Sequence, residues 1–280
     1  MAEQKSPTIR QWIDNVKPVA TWILIVAILF QYAWSPFAHF VLFPSGVLQA
    51  ISGFTWGILH STFLAYVIMA LVTGFFVCYL GGLRAKDFAI IKNKLLPAIG
   101  YIIAAWLLIQ ITPLLAGHSF EIQASWSEDG FIARKFSRFF SSQLFGNALY
   151  EELFYRGLLI SQFALLFRKK CSMTVAIILA VISSSIIFAL GHIPHRIVNG
   201  LPLAGSIARV FFYGLVFASF FLLTKNIFAT AGLHALWNAS PNLFEHSVNR
   251  FGTYGLLMIL VSILLCNFIY SKYNREPQVE

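Results

Sequence analysis

Residues 147–157 read NALYEELFYRG and place two adjacent glutamates and an arginine inside a segment that is otherwise apolar enough for a membrane. Charged side chains within a bilayer are costly, so they normally pair with one another or face a polar cavity. Glu152 and Arg156 are four residues apart and share one helical face at ion-pair distance, whereas Glu151 is rotated by about 100°. This geometry predicts a Glu152–Arg156 pair and a second, unpaired carboxylate. A buried structural network of the three charges would show the same pattern.

The chain around this motif has the composition of a membrane protein. Of its 280 residues, 58% are hydrophobic and only 11% are charged, far from the usage of soluble domains. Windows of roughly 20 apolar residues, enough to cross about 30 Å of hydrocarbon, recur along the sequence. The predicted spans are 19–43, 53–80, 95–116, 140–167, 173–192, 205–224, 226–244 and 253–271.

The predicted fold is therefore all-α, a polytopic bundle of about eight transmembrane helices with an intramembrane polar cavity. No internal repeat and no soluble insertion divides the sequence, so we expect one membrane-embedded domain over residues 1–280. The motif-bearing catalytic core is predicted at about 140–244.

The net charge of +9 comes from basic residues in short loops and not from one helical face, which argues against nucleic acid as a partner. Lys and Arg accumulate in cytoplasmic loops of membrane proteins. With eight spans, this rule predicts cytoplasmic N- and C-termini, and the basic run at 168–170 is the firmest marker. The same topology puts the end of the fifth span on the outer side. Membrane lipids are the expected surroundings.

Two further polar patterns lie on later spans. The fifth span ends in FALGHIPH (188–195), which puts Phe188 and His192 on one helical face, and HALWN (234–238) does the same for His234 and Asn238. A lone histidine on an apolar helix is usually a packing residue. A carboxylate and two imidazoles on three helices, however, can hold and deprotonate a water, either through a zinc ion or directly as general bases.

The ordered patterns E-E-x-x-x-R, F-x-x-x-H and H-x-x-x-N resemble those of the CAAX prenyl protease and bacteriocin-processing (CPBP) group of intramembrane proteases, also called the Abi family. The resemblance implies an intramembrane endopeptidase in which Glu151 and His192 activate the attacking water. His234 and Asn238 would stabilise the oxyanion, and Arg156 would hold Glu152 in place. The catalytic set implied is Glu151, Glu152, His192, His234 and Asn238, with Arg156 and Phe188 in support.

The resemblance leaves the cofactor open. Members of the group are often called metalloproteases, but hydrolysis without a metal is also proposed for them. A zinc or other divalent ion would be held by Glu151, His192 and His234, although the chain has no H-E-x-x-H helix. The short chain looks like a prokaryotic member of the cytoplasmic membrane, acting on a membrane-associated protein or peptide that is not prenylated.

Two other classes of function would use the same buried charges. In a proton-coupled transporter they would form a proton relay, which predicts matched discontinuous helices in two repeated halves. In a non-catalytic membrane scaffold or immunity protein they would be a packing network alone. Removal of Glu151 separates these alternatives, because a protease would lose its activity whereas a scaffold would not.

Overall fold

The computed structural model describes residues 8–111, 114, 117–119, 121–123 and 131–245, and within them every regular element is helical. The helices are α1 (Ile9–Asn15), α2 (Thr21–Leu42), α3 (Val47–Phe54), α4 (Ser61–Leu80), α5 (Leu95–Gln110), α6 (131–167), α7 (Met173–Gly191), α8 (Ile193–Val198), α9 (Leu203–Thr224) and α10 (Ile227–Ala239). Short 3-10 turns at Ala85–Phe88 and Lys92–Lys94 precede α5.

Five segments within the described residues are long and apolar enough to cross a membrane. They are Thr21–Leu42, Ser61–Leu80, Ala85–Gln110, Met173–Val198 and Leu203–Thr224. The prediction of an all-α, multi-pass membrane protein is thereby confirmed. The predicted eighth span, 253–271, lies outside the described residues, so the count of about eight stays a prediction.

The predicted fourth and seventh spans differ from the helices that the structure contains. α6 begins at residue 131, before the predicted start at 140, and it kinks at Gly146, where ψ is −108°. α10 has 13 residues and ends at Ala239 rather than near 244, which gives a rise of only about 20 Å. It is too short to cross about 30 Å of hydrocarbon alone, because the chain beyond it runs extended from Ser240.

Side-chain caps set where the helices beside the site begin. At α10, the Asn226 side chain accepts hydrogen bonds from the backbone N–H groups of Phe228 and Ala229. At α7, Ser172 accepts from the N–H of Val175 in the same way. These bonds satisfy donors that a helix N-terminus leaves without intrahelical partners. The caps therefore fix the axial positions of the two helices that carry the histidine motifs.

The packing order brings the motif-bearing helices together. The second half of α6 lies against α7, which also packs along α9, while α10 packs against α5 and α6. Gly214 on α9 permits one close contact, because a Cβ there would lie 3.0 Å from Ser185 Cβ on α7. Large apolar side chains such as Ile182 and Leu71 remain exposed on the outer faces. The arrangement is that of a membrane bundle, with apolar side chains outward and the charges of Glu151, Glu152 and Arg156 inside.

Candidate active site

The site is built around the ion pair on α6. Arg156 Nε lies 3.2 Å from Glu152 Oε2, and the two residues are only 1% and 0% exposed. The predicted i, i+4 pairing of these charges is thus confirmed. The segment Glu152–Ile160 is π-helical, a widened form of helix that is frequent at functional sites.

The guanidinium of Arg156 has further partners that hold it in place. One terminal nitrogen donates to the Gly214 carbonyl at 3.3 Å. The guanidinium carbon lies 4.6 Å from the centroid of the Phe188 ring and 5.7 Å from that of Phe217. Such cation–π contacts become stronger when water is excluded. Arg156 therefore anchors α6 to α7 and α9 as well as holding Glu152.

Glu152 also connects α6 to α10. His234 Nδ1 lies 2.8 Å from Glu152 Oε1, and His234 Nε2 lies 3.6 Å from Glu151 Oε2. The imidazole stacks on Phe217, with ring centroids 4.5 Å apart, and is 3% exposed. Because a carboxylate only accepts, Nδ1–H of His234 is the donor to Glu152. His234 is thus oriented with its other nitrogen toward Glu151.

Glu151 has a different environment from its neighbour. Its Oε1 accepts a hydrogen bond of 2.9 Å from the Tyr66 hydroxyl of α4. Its Oε2 is buried and, among the described residues, has no hydrogen-bond partner. Because Glu151 is only 4% exposed, bulk solvent does not supply a hydrogen bond to this oxygen. Glu152 Oε2 also lacks a hydrogen bond among the described residues, but it faces the Arg156 guanidinium, whereas Glu151 Oε2 faces the imidazole of His234.

His192 follows the last residue of α7 and is half-buried. Its Nδ1–H donates to the Phe188 carbonyl at 2.8 Å, which leaves Nε2 as the acceptor of the neutral ring. The ring packs on Phe188 at 4.6 Å between centroids, and Phe188 lies 6.2 Å from His234. His192 is within electrostatic range of Glu151 and His234.

The structure therefore joins Glu151, Glu152, Arg156 and His234 directly and places His192 and Phe188 next to them. Asn238 lies one turn beyond His234 on α10 and is half-buried. Its side chain has no hydrogen bond to the carboxylates among the described residues.

Residues 135–240, which run from α6 to just past α10, match the family model described as type II CAAX prenyl endopeptidase Rce1-like. This segment is similar to an Rce1-like domain. The match agrees with the CPBP resemblance of the three motifs and supports an intramembrane CAAX protease, without favouring a transporter or a scaffold. Searches of curated proteins and of solved structures found no match.

The predicted ligands of a metal ion are Glu151, His192 and His234. The described residues contain no group of three or more His, Cys, Asp or Glu side chains that could hold a metal ion. Two of the ring nitrogens are already engaged, His234 Nδ1 by Glu152 and His192 Nδ1 by a backbone carbonyl. These bonds leave Nε2 of each ring available, as in histidines that bind a metal through one nitrogen and donate from the other, but the described donors are not grouped as a three-ligand centre.

Two contacts of the site lie outside the sequence motifs. Tyr66 lies on α4, far from the matched segment, and Phe217 lies on α9 among many other phenylalanines. A weak signal existed for the first, because Tyr66 and Thr73 are seven residues apart and share one face of a largely apolar helix. Nothing in the sequence distinguishes Phe217 from the lipid-facing aromatic residues.

Proposed function

We propose that the chain is an intramembrane endopeptidase that hydrolyses a peptide bond of a membrane-associated protein or peptide, with Glu151 as the general base. The observation that carries the proposal is the buried Glu151 Oε2, which lacks a hydrogen-bond partner among the described residues and lies 3.6 Å from His234 Nε2. A water at this oxygen can give its proton to the carboxylate as it attacks the scissile carbonyl. His192 Nε2 is a second acceptor close by.

The remaining residues act on the charge that the reaction creates. When the His234 ring carries both protons, Nδ1–H donates to Glu152 and Nε2–H can donate to the tetrahedral oxyanion. Asn238, one turn further along α10, would supply a second donor to that oxyanion. His234 lies beside both carboxylates. Glu152 and Arg156 hold this donor in position.

The proposal extends to the side of the membrane from which the substrate enters. α7 begins just after the basic run at 168–170 and ends beside His192. If that run and both termini are cytoplasmic, as the charge pattern predicts, His192 lies toward the outer side. We therefore infer that the substrate reaches the site from the outer side or from within the bilayer, and that it need not carry a prenyl group.

Substitution of Glu151 by Gln tests the function. The amide has the same shape but cannot accept the proton of the attacking water, so we expect cleavage to fall by at least about 10³-fold. The full chain, reconstituted in liposomes, is assayed with an internally quenched peptide ending in a CAAX sequence, in prenylated and unprenylated forms.

The free energy of unfolding of Glu151→Gln is measured beside its activity. We expect it to stay within about 1 kcal/mol of the wild type, since the Tyr66 bond can be retained by the amide oxygen. Wild-type rates of cleavage by Glu151→Gln would refute the proposal. Early unfolding of this variant, with a stable but inactive Glu152→Gln, would reverse the roles of the two glutamates.

A further inference from the structure

Tyr66 reaches Glu151 from a helix that carries no sequence motif of the site. It lies in the first half of α4, is half-buried, and donates its hydroxyl to Glu151 Oε1 at 2.9 Å. The two residues are 85 positions apart in the chain, so only helix packing brings them together. A hydrogen bond to a carboxylate is shorter and stronger than one between neutral groups. The contact therefore affects the conformation of the group proposed as the base.

This bond makes the two oxygens of Glu151 unequal. Oε1 is held by Tyr66, whereas Oε2 is buried, has no hydrogen-bond partner among the described residues and faces His234 Nε2 at 3.6 Å. A carboxylate that is not held at one oxygen can rotate about its last side-chain bond, because terminal torsions of this kind are broad. With Oε1 fixed, that rotation is prevented and Oε2 keeps its direction.

Tyr66 is itself held in place by its neighbours. Its ring meets Tyr150 edge to face with centroids 5.7 Å apart. The Tyr150 hydroxyl in turn donates to Gln31 Oε1 and lies 3.0 Å from Thr73 Oγ1, so it turns away from Glu151. Aromatic pairs in this geometry restrict one another's orientation. The hydroxyl of Tyr66 is thus aimed at Glu151 by packing that does not involve the carboxylate.

The kink in α6 brings α4 close enough for this contact. A Cβ at Gly146 would lie 3.4 Å from Phe63 Cα, and the backbone N–H of His60 donates to Ser141 Oγ at 2.9 Å. Both contacts lie within two turns of Tyr66 along α4. The start of α4 therefore packs against, and is hydrogen-bonded to, the segment of α6 that precedes Glu151.

We propose that Tyr66 is a positioning residue for Glu151: its hydroxyl holds Oε1 so that Oε2 faces the attacking water and His234. The inference rests on the proposed function, since it assigns Tyr66 a role in the same reaction. It predicts that loss of the hydroxyl reduces turnover without weakening substrate binding. The ring remains in the Phe variant, so the packing against Tyr150 is retained.

The first experiment compares Tyr66→Phe with Tyr150→Phe in the liposome assay described above. Each variant loses one buried hydroxyl, but only Tyr66 bonds to Glu151. We expect kcat of Tyr66→Phe to fall roughly 10- to 100-fold with KM within about twofold, as for removal of a hydrogen bond to a charged group. Tyr150→Phe is expected to keep the wild-type kcat. Equal effects of the two substitutions on kcat would overturn the proposal.

The second experiment does not depend on cleavage. Infrared difference spectra between the wild type and Glu151→Gln identify the carboxylate stretching band of Glu151. We expect this band to shift in Tyr66→Phe and to stay unchanged in Tyr150→Phe. It should be absent from the double variant Glu151→Gln/Tyr66→Phe. An unmoved band in Tyr66→Phe would show that the hydroxyl does not hold the carboxylate.

The outcomes separate the two proposals. If Glu151→Gln cleaves like the wild type, the proposed function is wrong, whatever the infrared band does. If Glu151→Gln is inactive while Tyr66→Phe keeps the wild-type kcat, the function stands and the role of Tyr66 is refuted. A shifted band together with a reduced kcat supports both.

Discussion

The two adjacent glutamates of α6 occupy opposite kinds of environment. Glu152 is fully buried: its Oε1 accepts from His234 Nδ1 at 2.8 Å, and its Oε2 faces the guanidinium, 3.2 Å from Arg156 Nε, in an ion pair without a hydrogen bond among the described residues. Glu151 has one donor, Tyr66, and one buried oxygen without a hydrogen-bond partner among the described residues. A buried carboxylate paired with a guanidinium is costly to unpair, whereas a carboxylate without such a cation retains capacity for a ligand. This difference supports the proposal that Glu152 has a structural role and Glu151 a chemical one.

The helices that flank the pair show the same contrast. Around Glu152, α6, α9 and α10 close over Arg156 and His234 through Phe217 and the Gly214 carbonyl. Near Glu151, the neighbours are the half-buried His192 and Tyr66. We therefore expect a substrate to enter on the Glu151 side, where these two side chains are less enclosed by protein.

The largest expected effect is a loss of stability when Glu152 is substituted. Glu152→Gln leaves Arg156 charged, buried and without its carboxylate, and it weakens the bond that orients His234. We expect a loss of about 3–5 kcal/mol in the free energy of unfolding, measured by titration with denaturing detergent in mixed micelles. Glu151→Gln, measured in parallel, is the matched control and is expected to lose far less.

A companion variant sharpens that test. In Glu152→Gln/Arg156→Met the uncompensated charge is removed as well, so this protein should be more stable than Glu152→Gln alone, by about 2 kcal/mol. If the double variant is no more stable than the single one, the cost does not come from the unpaired guanidinium.

The next largest effect is a loss of cleavage when His192, close to Glu151, is substituted. His192→Gln removes an imidazole that, among the described residues, is hydrogen-bonded to the Phe188 carbonyl at the end of α7. We expect cleavage to fall by roughly 10²–10⁴-fold, as for loss of a general base, with little change in the free energy of unfolding. His195→Gln, three residues further and exposed, serves as the control and should cleave normally. Equal losses in both variants would indicate damage to α8 rather than to the site.

The smallest effect concerns the close contact between α7 and α9 at Gly214. In Gly214→Ala the new Cβ would lie 3.0 Å from Ser185 Cβ and 3.2 Å from its Cα, which forces α9 away from α7. We expect a loss of about 1–3 kcal/mol in the free energy of unfolding, because overpacking displaces backbone. Gly205→Ala on the same helix has no heavy atom within 4 Å and should be neutral or stabilising. If Gly214→Ala is equally neutral, the close approach of these helices is not required.

Local patterns in the sequence determined the membrane class and one half of the site. Hydrophobic windows and low charge predicted an all-α membrane bundle, and the structure has five helices fit to span a bilayer within the described residues. The spacing of Glu152 and Arg156 predicted their ion pair, since residues four apart on one helix meet regardless of the rest of the fold. The three motifs together indicated the family that residues 135–240 match.

Only the tertiary structure decided which groups from different helices meet. His234 bonds to Glu152, 82 residues away, and Tyr66 bonds to Glu151, 85 residues away. Neither contact follows from periodicity, because helix packing and the kink at Gly146 set the relative depth and rotation of the helices. The early end of α10 at Ala239 was missed for a related reason: hydropathy reports apolar length but not where the backbone leaves the helix. The difference between two neighbouring glutamates is therefore a property of the packed bundle and not of their sequence.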